Sequence, residues 1–301
     1  MDNPEQKVEH QHTKNWYDKS YKLILFFPVA LLAACLVYLV IFHSQTGDLI
    51  NRDVSLKGGT TITLLGDVDA VKLEAQLTEK IPDVSFRSLS EMGSEKQIAL
   101  VIESSMQPDE LKQNIEDILG YKLTDENSSI EFTGPSLSAN FYRQLIIALI
   151  ISFVLMSIVI FIMFKSFIPS IAVIFAAFAD IVMALALVDF LGMKLSAAGI
   201  AAFLMLVGYS VDTDILLTTR ALKKAEGTLN QRIYGAFKTG IFMTTTALFA
   251  VLPAFFIVTG LPDSFRQIFL ILAFGLGADI INTWMTNASI IKWYCDKKGI
   301  K

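Results

Sequence analysis

Histidine and cysteine are scarce in this chain. Three histidines and two cysteines occur in 301 residues, and all the histidines precede residue 44, so a catalytic histidine in the later, apolar part of the sequence is excluded. Cys35 and Cys295 lie far apart, in or beside apolar runs, which supports neither a disulfide framework nor a cysteine-based metal site. We therefore predict no metal and no cofactor.

Charged residues are also few. They make up 18% of the chain, against 53% hydrophobic residues, whereas an average soluble domain is about 25% charged and about 45–50% apolar. The mean hydropathy is +0.52. These values exclude an ordinary soluble enzyme and a disordered chain. The net charge of −4 gives no support to a nucleic-acid partner.

Long apolar runs account for this excess, and six of them are long enough to cross a bilayer, which requires about 20 residues. The first run is full length and is followed by polar residues without a small-x-small cleavage site, so we interpret it as an uncleaved anchor. The predicted spans are Leu23–Phe42, Leu145–Phe164, Ile168–Leu191, Leu195–Leu217, Ile233–Thr259 and Phe265–Trp293.

Basic residues near the span ends predict the orientation. If the N-terminus is cytoplasmic, fourteen Lys and Arg lie on the cytoplasmic side, and only Arg143, Lys194 and Arg266 lie opposite, outside the large domain. We expect a multi-pass protein of the cytoplasmic membrane with both termini inside. The predicted divisions are a cytoplasmic segment (1–22), the first span (23–43), an outer domain (44–142), spans two to six (143–294) and a cytoplasmic tail (295–301).

The outer segment has the pattern of a small α+β domain. Period-2 runs predict strands over Thr60–Leu65, Val84–Leu89, Gln97–Glu103 and Ser128–Phe132, and helical spacing predicts helices over Asp69–Ile81 and Pro108–Leu119. The order βαββαβ is that of the ferredoxin-like fold. With 17 acidic and 8 basic residues, no histidine and no nucleophile–base set, we interpret the domain as a solvated binding module.

Ionisable residues inside predicted spans are costly and are the main candidates for function. Small neighbours on the helix face of Asp180, and likewise of Asp212, predict that both carboxylates face protein. Asp214 lies about 200° around the helix from Asp212. Lys238, on the next span, is placed to pair with either one or to extend to the cytoplasmic surface. The candidates for a proton relay are Asp212, Asp214, Asp180, Lys238 and Asp279.

Two interpretations of these charges stay open on spacing alone. In the first, protons move through the carboxylates and change how the helices pack. In the second, the carboxylates are static contacts between helices, with the threonines at 244–246 as partners.

Several motifs resemble the SecF subunits of the Sec protein-export machinery, within the resistance-nodulation-division superfamily. The stretch 201–211 is similar to the fourth-span motif, Asp53 with 57–60 to the signature that opens the outer domain, and Phe178-Ala179-Asp180 to a third-span His-Asp pair. The positions that carry the motifs are Gly208, Tyr209, Ser210, Val211, Arg220, Asp53, Gly58, Gly59, Gly134 and Pro135.

This chain departs from the bacterial pattern in the middle of the motif. Bacterial members read Asn-Asp-Thr where this chain reads Asp212-Thr213-Asp214, an order that resembles the partner subunit SecD and archaeal SecF. A bacterial arginine of the fifth span falls at Lys238, which keeps the charge but loses the bidentate fork.

The resemblance implies a non-enzymatic export subunit. Its expected partners are SecD, a SecY-type channel, the emerging unfolded polypeptide and membrane lipid, with the proton gradient as energy source. The alternative is a proton-coupled small-molecule exporter of the same superfamily. Such exporters have a duplicated chain with two large outer domains, whereas this chain has one.

Overall fold

Six helices long and apolar enough to cross a membrane are present in the computed structural model, as the sequence predicts. The structure describes residues 16–81, 83–90, 96–222, 227–257 and 263–300. The candidate spans are Tyr17–Thr46, Pro135–Phe164, Phe167–Phe190, Ala197–Leu222, Leu229–Pro253 and Arg266–Lys298.

The helices that carry these spans are longer than the apolar runs. The second span helix already begins at Pro135, inside the range 44–142 that the sequence analysis assigned to the outer domain. The last span is continuous but not uniform, since a π-helical turn separates its two α-helical parts. The helices are α1 (Trp16–Thr46), α5 (Pro135–Phe164), α6 (Phe167–Phe190), α7 (Ala197–Leu222), α8 (Leu229–Ile257), α9 (Asp263–Ile281), the π-turn (Asn282–Asn287) and α10 (Ala288–Lys298).

The outer domain has the predicted βαββαβ order. One antiparallel sheet has the strand order β2 (Ser85–Ser90), β3 (Gln97–Ser104), β1 (Gly59–Leu65) and β4 (Ser128–Thr133). The helices α3 (Ala70–Lys80) and α4 (Pro108–Leu119) pack against this sheet. Its buried core includes Ile62, Leu73, Leu100 and Ile115. A further short helix, α2 (Val54–Lys57), precedes β1. The short helix α2 was not predicted.

The segment that enters the outer domain is hydrogen-bonded to the membrane helices. The backbone N–H of Asp53 donates to the carbonyl of Leu195 (3.0 Å), and the N–H of Leu195 donates to the carbonyl of Asn51 (2.5 Å). Both bonds lie at the turn between α6 and α7. Asp189, at the outer end of α6, accepts from the N–H of Asn51 (3.3 Å). Backbone bonds therefore attach the start of the outer domain to the end of the bundle where α6 turns into α7.

Helices α6 and α7 form the centre of the bundle. Their most apolar windows are 61% and 56% buried, whereas the corresponding window of α5 is only 6% buried. Helix α9 packs against both α6 and α7. Polar groups carried by these three helices are therefore shielded by protein on most sides.

Candidate functional site in the membrane core

Three carboxylates from three helices are fully buried in the bundle. Asp180 of α6, Asp214 of α7 and Asp279 of α9 each have an exposed fraction of 0%. For Asp180 this is the position predicted from its small neighbours. Asp279 lies one turn after Gly275, where the last span passes close to Leu206 of α7. The site is thus assembled by the three central helices of the bundle.

Asp180 accepts hydrogen bonds at both carboxylate oxygens. The Ser210 hydroxyl, from the motif on α7, donates to Oδ2. The side-chain amide of Asn282, in the π-turn, donates to Oδ1 at 2.7 Å. Two neutral donors from two other segments therefore hold this carboxylate.

Asp214 and Asp279 are connected through one threonine hydroxyl. Thr283 Oγ1 lies 2.9 Å from Oδ1 of Asp214 and 2.8 Å from Oδ1 of Asp279. The Asn287 amide donates to the same oxygen of Asp214 at 2.7 Å. Asp279 also accepts from Thr213 (2.8 Å) and lies 3.4 Å from Thr244 Oγ1. The two carboxylates thus belong to one hydrogen-bonded network.

The π-helical turn aligns the donors of the last span. A π-helix repeats its hydrogen bonds from residue i to i+5, so residues five apart come onto one face. Asn282 and Asn287 are five apart, and in a regular α-helix they would lie about 140° from each other. The turn lets one segment bind carboxylates of both α6 and α7. π-turns inside α-helices are frequent at functional sites.

Asp212 lies apart from this network, and no described helix of this chain covers its side chain, so the expectation that it faces protein stays a prediction. Its side chain is exposed, as are Gly208 and Tyr209. The face of α7 that packs inward is instead the one with Phe203, Val207, Ser210 and Asp214. Of the small residues on the Asp212 side of the helix, Gly208 is exposed, whereas Ala198 and Ala201 are half-buried.

Lys238 is also exposed and binds neither carboxylate of α7. Its Nζ lies 4.7 Å from the ring centroid of Tyr234, one turn earlier on α8. Arg220 of the motif donates to the carbonyl of Gly235 (2.8 Å) and to Thr239 (3.0 Å), which joins the C-terminal end of α7 to the N-terminal part of α8. Within the described ranges, the hydrogen-bond partners of the three buried carboxylates are uncharged serine, threonine and asparagine side chains.

The motif at the entrance of the outer domain forms a tight junction. Gly58 has a φ of +86°, and a Cβ there would lie 2.5 Å from Cα of Pro135. A Cβ on Gly59 would lie 2.3 Å from the carbonyl oxygen of Ser104, so both positions require glycine. Gly134 directly precedes α5, and Pro135 occupies its first turn.

Asp53 occupies the N-cap position of α2. Its Oδ1 accepts from the Ser55 hydroxyl at 2.5 Å. The pKa of Asp53 is raised to about 6, because the effect of burial is larger than the opposing effect of the hydrogen bonds with Ser55. Asp53 also lines a cavity of about 400 Å³ between the outer domain and the bundle, together with Arg87, Glu103 and Lys194.

The sequence analysis missed the donors of the last span. Asn282, Thr283, Thr286 and Asn287 are at most 1% exposed, and all lie in the π-turn. Four amide or hydroxyl side chains close together in an apolar span are themselves a signal, because such groups need partners in the bilayer. No set of three His, Cys, Asp or Glu side chains within the described ranges is placed to hold a metal ion.

Known proteins resemble this chain over nearly its whole length. The C-terminal family of the protein-export membrane proteins SecD and SecF matches residues 115–297. The protein-export membrane protein SecF of Methanothermobacter thermautotrophicus is 37% identical over 287 residues, which is 93% of this chain and 95% of that protein. SecF of Pyrococcus furiosus is 32% identical and covers 92% of each chain.

A solved structure has the same fold. The crystal structure of SecDF from Thermus thermophilus, described as a translocon-associated membrane protein, superposes with a TM-score of 0.71 at 17% identity. It covers 98% of this chain, while this chain spans 40% of the SecDF chain. With a matching family over more than half of the sequence and relatives above 30% identity along its length, the chain belongs to the SecF family of protein-export membrane proteins.

Proposed function

We propose that this chain is an auxiliary subunit of the Sec protein-export translocon that works with SecD and uses the proton gradient. Membership of the SecF family and the fold shared with SecDF support the export role. The protein acts without catalysing a reaction of its own in this proposal. The emerging unfolded polypeptide and a SecY-type channel are its working partners, and membrane lipid surrounds its spans.

The observation that carries proton coupling is the buried carboxylate network. Asp180, Asp214 and Asp279 are fully buried on three different helices, and Thr283 joins two of them. Ionised carboxylates in a bilayer are costly, and removing one charge by protonation changes which neighbours can bind. One elementary charge that crosses 100 mV supplies about 2.3 kcal/mol, which is enough to shift a two-state helix packing.

The exposed candidates have a different role in this proposal. Asp212 and the small-residue face of α7 lie on the surface of this chain, and so does Lys238 of α8. A carboxylate exposed to lipid is unfavourable, whereas a helix with small residues can approach it closely. We assign this surface to the contact with the membrane helices of SecD.

The outer domain is the part that meets the polypeptide. The bias of basic residues towards one side supports cytoplasmic termini, which places this domain on the outer side of the cytoplasmic membrane. Its attachment through Asp53 and Leu195 gives movements of α6 and α7 a direct route to the domain.

Export by the complete complex in membrane vesicles tests the proposal. The rate of uptake of a secreted protein is measured with an imposed proton gradient and after its collapse by an uncoupler. We expect the gradient to accelerate wild type but not Asp180→Asn or Asp214→Asn. Thr246→Ala is the control, because that side chain is exposed on α8 and lies outside both the network and the attachment of the outer domain. Gradient-dependent export by both network variants would refute coupling through these carboxylates.

A further inference from the structure

Two oxygen atoms in the network have no hydrogen-bond partner. They are Oδ2 of Asp214 and Oδ1 of Asn287, and both residues are 0% exposed. The other atoms of the two groups do meet, because the Asn287 amide donates to Oδ1 of Asp214 at 2.7 Å. Buried acceptors without a donor are rare in native structures and cost about 1–3 kcal/mol each.

We infer that a proton is held on Oδ2 of Asp214 and donated in a hydrogen bond to Oδ1 of Asn287. A carboxylic acid and an amide are complementary, since each offers one donor and one acceptor. Protonation of one oxygen therefore provides a partner for both orphan atoms at once. The inference rests on the proposed proton coupling for its role in export, but not for the position of the proton.

The donors around the other two carboxylates explain why Asp214 is the one protonated. Asp180 has a separate neutral donor for each oxygen, from Ser210 and Asn282. Asp279 has threonine hydroxyls near both oxygens, from Thr213 and Thr244. These hydroxyl and amide donors stabilise Asp180 and Asp279 as anions, whereas Oδ2 of Asp214 has no donor.

The position of Thr283 supports the same assignment. A hydroxyl has one hydrogen, yet Thr283 Oγ1 lies within 2.9 Å of oxygens from both Asp214 and Asp279. If both carboxylates were ionised, two like charges would meet at a single donor. A neutral Asp214 leaves the Thr283 hydrogen for Asp279 and removes that repulsion.

Among the described residues, the nearby ionisable groups do not provide Asp214 with an alternative partner. From the elements packed against α7, Asp180 of α6 and Asp279 of α9 face the network, and both are acidic. Lys238 of α8 lies over Tyr234, and Lys292 of α10 pairs with Asp18 at 2.6 Å. Within the part of the chain that the structure describes, the hydrogen-bond partners of Asp214 are the neutral side chains of Thr283 and Asn287, which favours a proton as the balancing charge.

Infrared difference spectra between wild type and its variants, recorded on the full chain in nanodiscs, test the inference. A protonated carboxylic acid has its own carbonyl stretching band, which an ionised carboxylate lacks. We expect this band in wild type at pH 7, its loss in Asp214→Asn, and its retention in Asp180→Asn and Asp279→Asn. Asn287→Leu should shift the band, because the acid loses its acceptor.

A double variant that exchanges the acid and the amide tests whether loss of the band in Asp214→Asn reflects misfolding. The double variant Asp214→Asn/Asn287→Asp places the acid on the π-turn and the amide on α7, and we expect it to regain the band that Asp214→Asn lacks. A band that survives in Asp214→Asn and disappears in Asp180→Asn or Asp279→Asn would overturn the inference. Absence of the band from wild type at pH 7 would overturn it too, since Asp214 would then be ionised.

The two proposals fail separately. If the band behaves as expected but export ignores the proton gradient, the proton position stands and the coupling fails. If export follows the gradient while the band does not depend on Asp214, the coupling stands and this inference is wrong.

Discussion

Asn282 and Asn287 bind carboxylates of two different helices through the same π-turn. Their side-chain amides each lie 2.7 Å from a carboxylate oxygen, the first on Asp180 of α6 and the second on Asp214 of α7. The last span is therefore hydrogen-bonded to both α6 and α7 through one turn. A change at either carboxylate is transmitted directly to the turn.

Replacing Asn282 by leucine should destabilise the bundle. Asp180 would keep the Ser210 hydroxyl but lose the donor at its other oxygen, and an unsatisfied buried acceptor costs about 1–3 kcal/mol. The midpoint of thermal unfolding in detergent measures this effect. Thr246→Ala is the control, since that side chain is exposed and bonds only to its own helix. Equal midpoints for Asn282→Leu and wild type would contradict the assigned role.

Two glycines of the last span should respond differently to alanine. A Cβ on Gly275 would lie 2.2 Å from a Leu206 methyl group, and Leu206 is fully buried, so over-packing of about 1–3 kcal/mol is expected. A Cβ on Gly277 meets nothing within 4 Å, and helix propensity favours alanine there by about 1 kcal/mol. Unfolding midpoints should therefore fall for Gly275→Ala only. A fall of similar size for Gly277→Ala would show that the α7–α9 packing is not the cause.

The entrance to the outer domain should loosen as the pH rises through about 6. Burial raises the pKa of Asp53 to about 6 from an ordinary 3.8, so the folded state favours the protonated form. The resulting stabilisation is complete below pH 3.8 and is lost as the pH rises through 6. Hydrogen exchange of segment 53–58, corrected for intrinsic rates, should be slower at pH 5 than at pH 8. Asp53→Asn should remove this difference, and an unchanged difference would assign it to another group.

The buried lysine of the last helix should need its acidic partner. Lys292 is 3% exposed and lies 2.6 Å from Asp18 of α1 and 2.9 Å from Asn230 of α8. Breaking a buried ion pair costs about 3–5 kcal/mol, although Asp296 at 3.7 Å retains part of the attraction. Asp18→Asn should lower the unfolding midpoint more than the double variant Asp18→Asn/Lys292→Gln. The reverse order would mean that the charge on Lys292 is balanced without Asp18.

Asp212→Asn should reduce export without unfolding the protein. The side chain is exposed, so this chain alone loses no described contact. The proposed contact with SecD would lose a charge, and copurification with SecD should weaken in parallel. Export rates and SecD recovery are compared at equal protein levels. Wild-type values for both would remove Asp212 from the relay candidates and from the proposed interface.

Local sequence patterns were sufficient to predict the membrane spans and the secondary structure of the outer domain. Apolar runs of bilayer length have few alternatives to a membrane helix, and alternation with turn residues defines the four strands. The helix Pro108–Leu119 has its predicted ends, because proline suits the first turn and Gly120 adopts the left-handed conformation after the last residue. The motifs that resemble SecF also lie in contiguous stretches, so no tertiary information is needed to find them.

The inward face of α7 depends on the tertiary structure. Asp212 and Asp214 lie on opposite faces of one helix, and the sequence shows only that both are in a span. Small residues beside Asp212 indicate close packing, but they do not say whether the neighbour belongs to the same chain. Because α6 and α9 pack against the other face, Asp214 is buried and Asp212 is exposed.

The π-turn is likewise a product of packing. Regular α-helical spacing would separate Asn282 and Asn287, so helical periodicity applied to the sequence does not bring them to one site. Only the contacts with Asp180 and Asp214 show that the helix widens there. The sequence by itself therefore determined the six candidate spans, the fold of the outer domain and the family. The three-dimensional packing of α6, α7 and the last span decided which carboxylates share a site, because that depends on helix rotation and not on residue order.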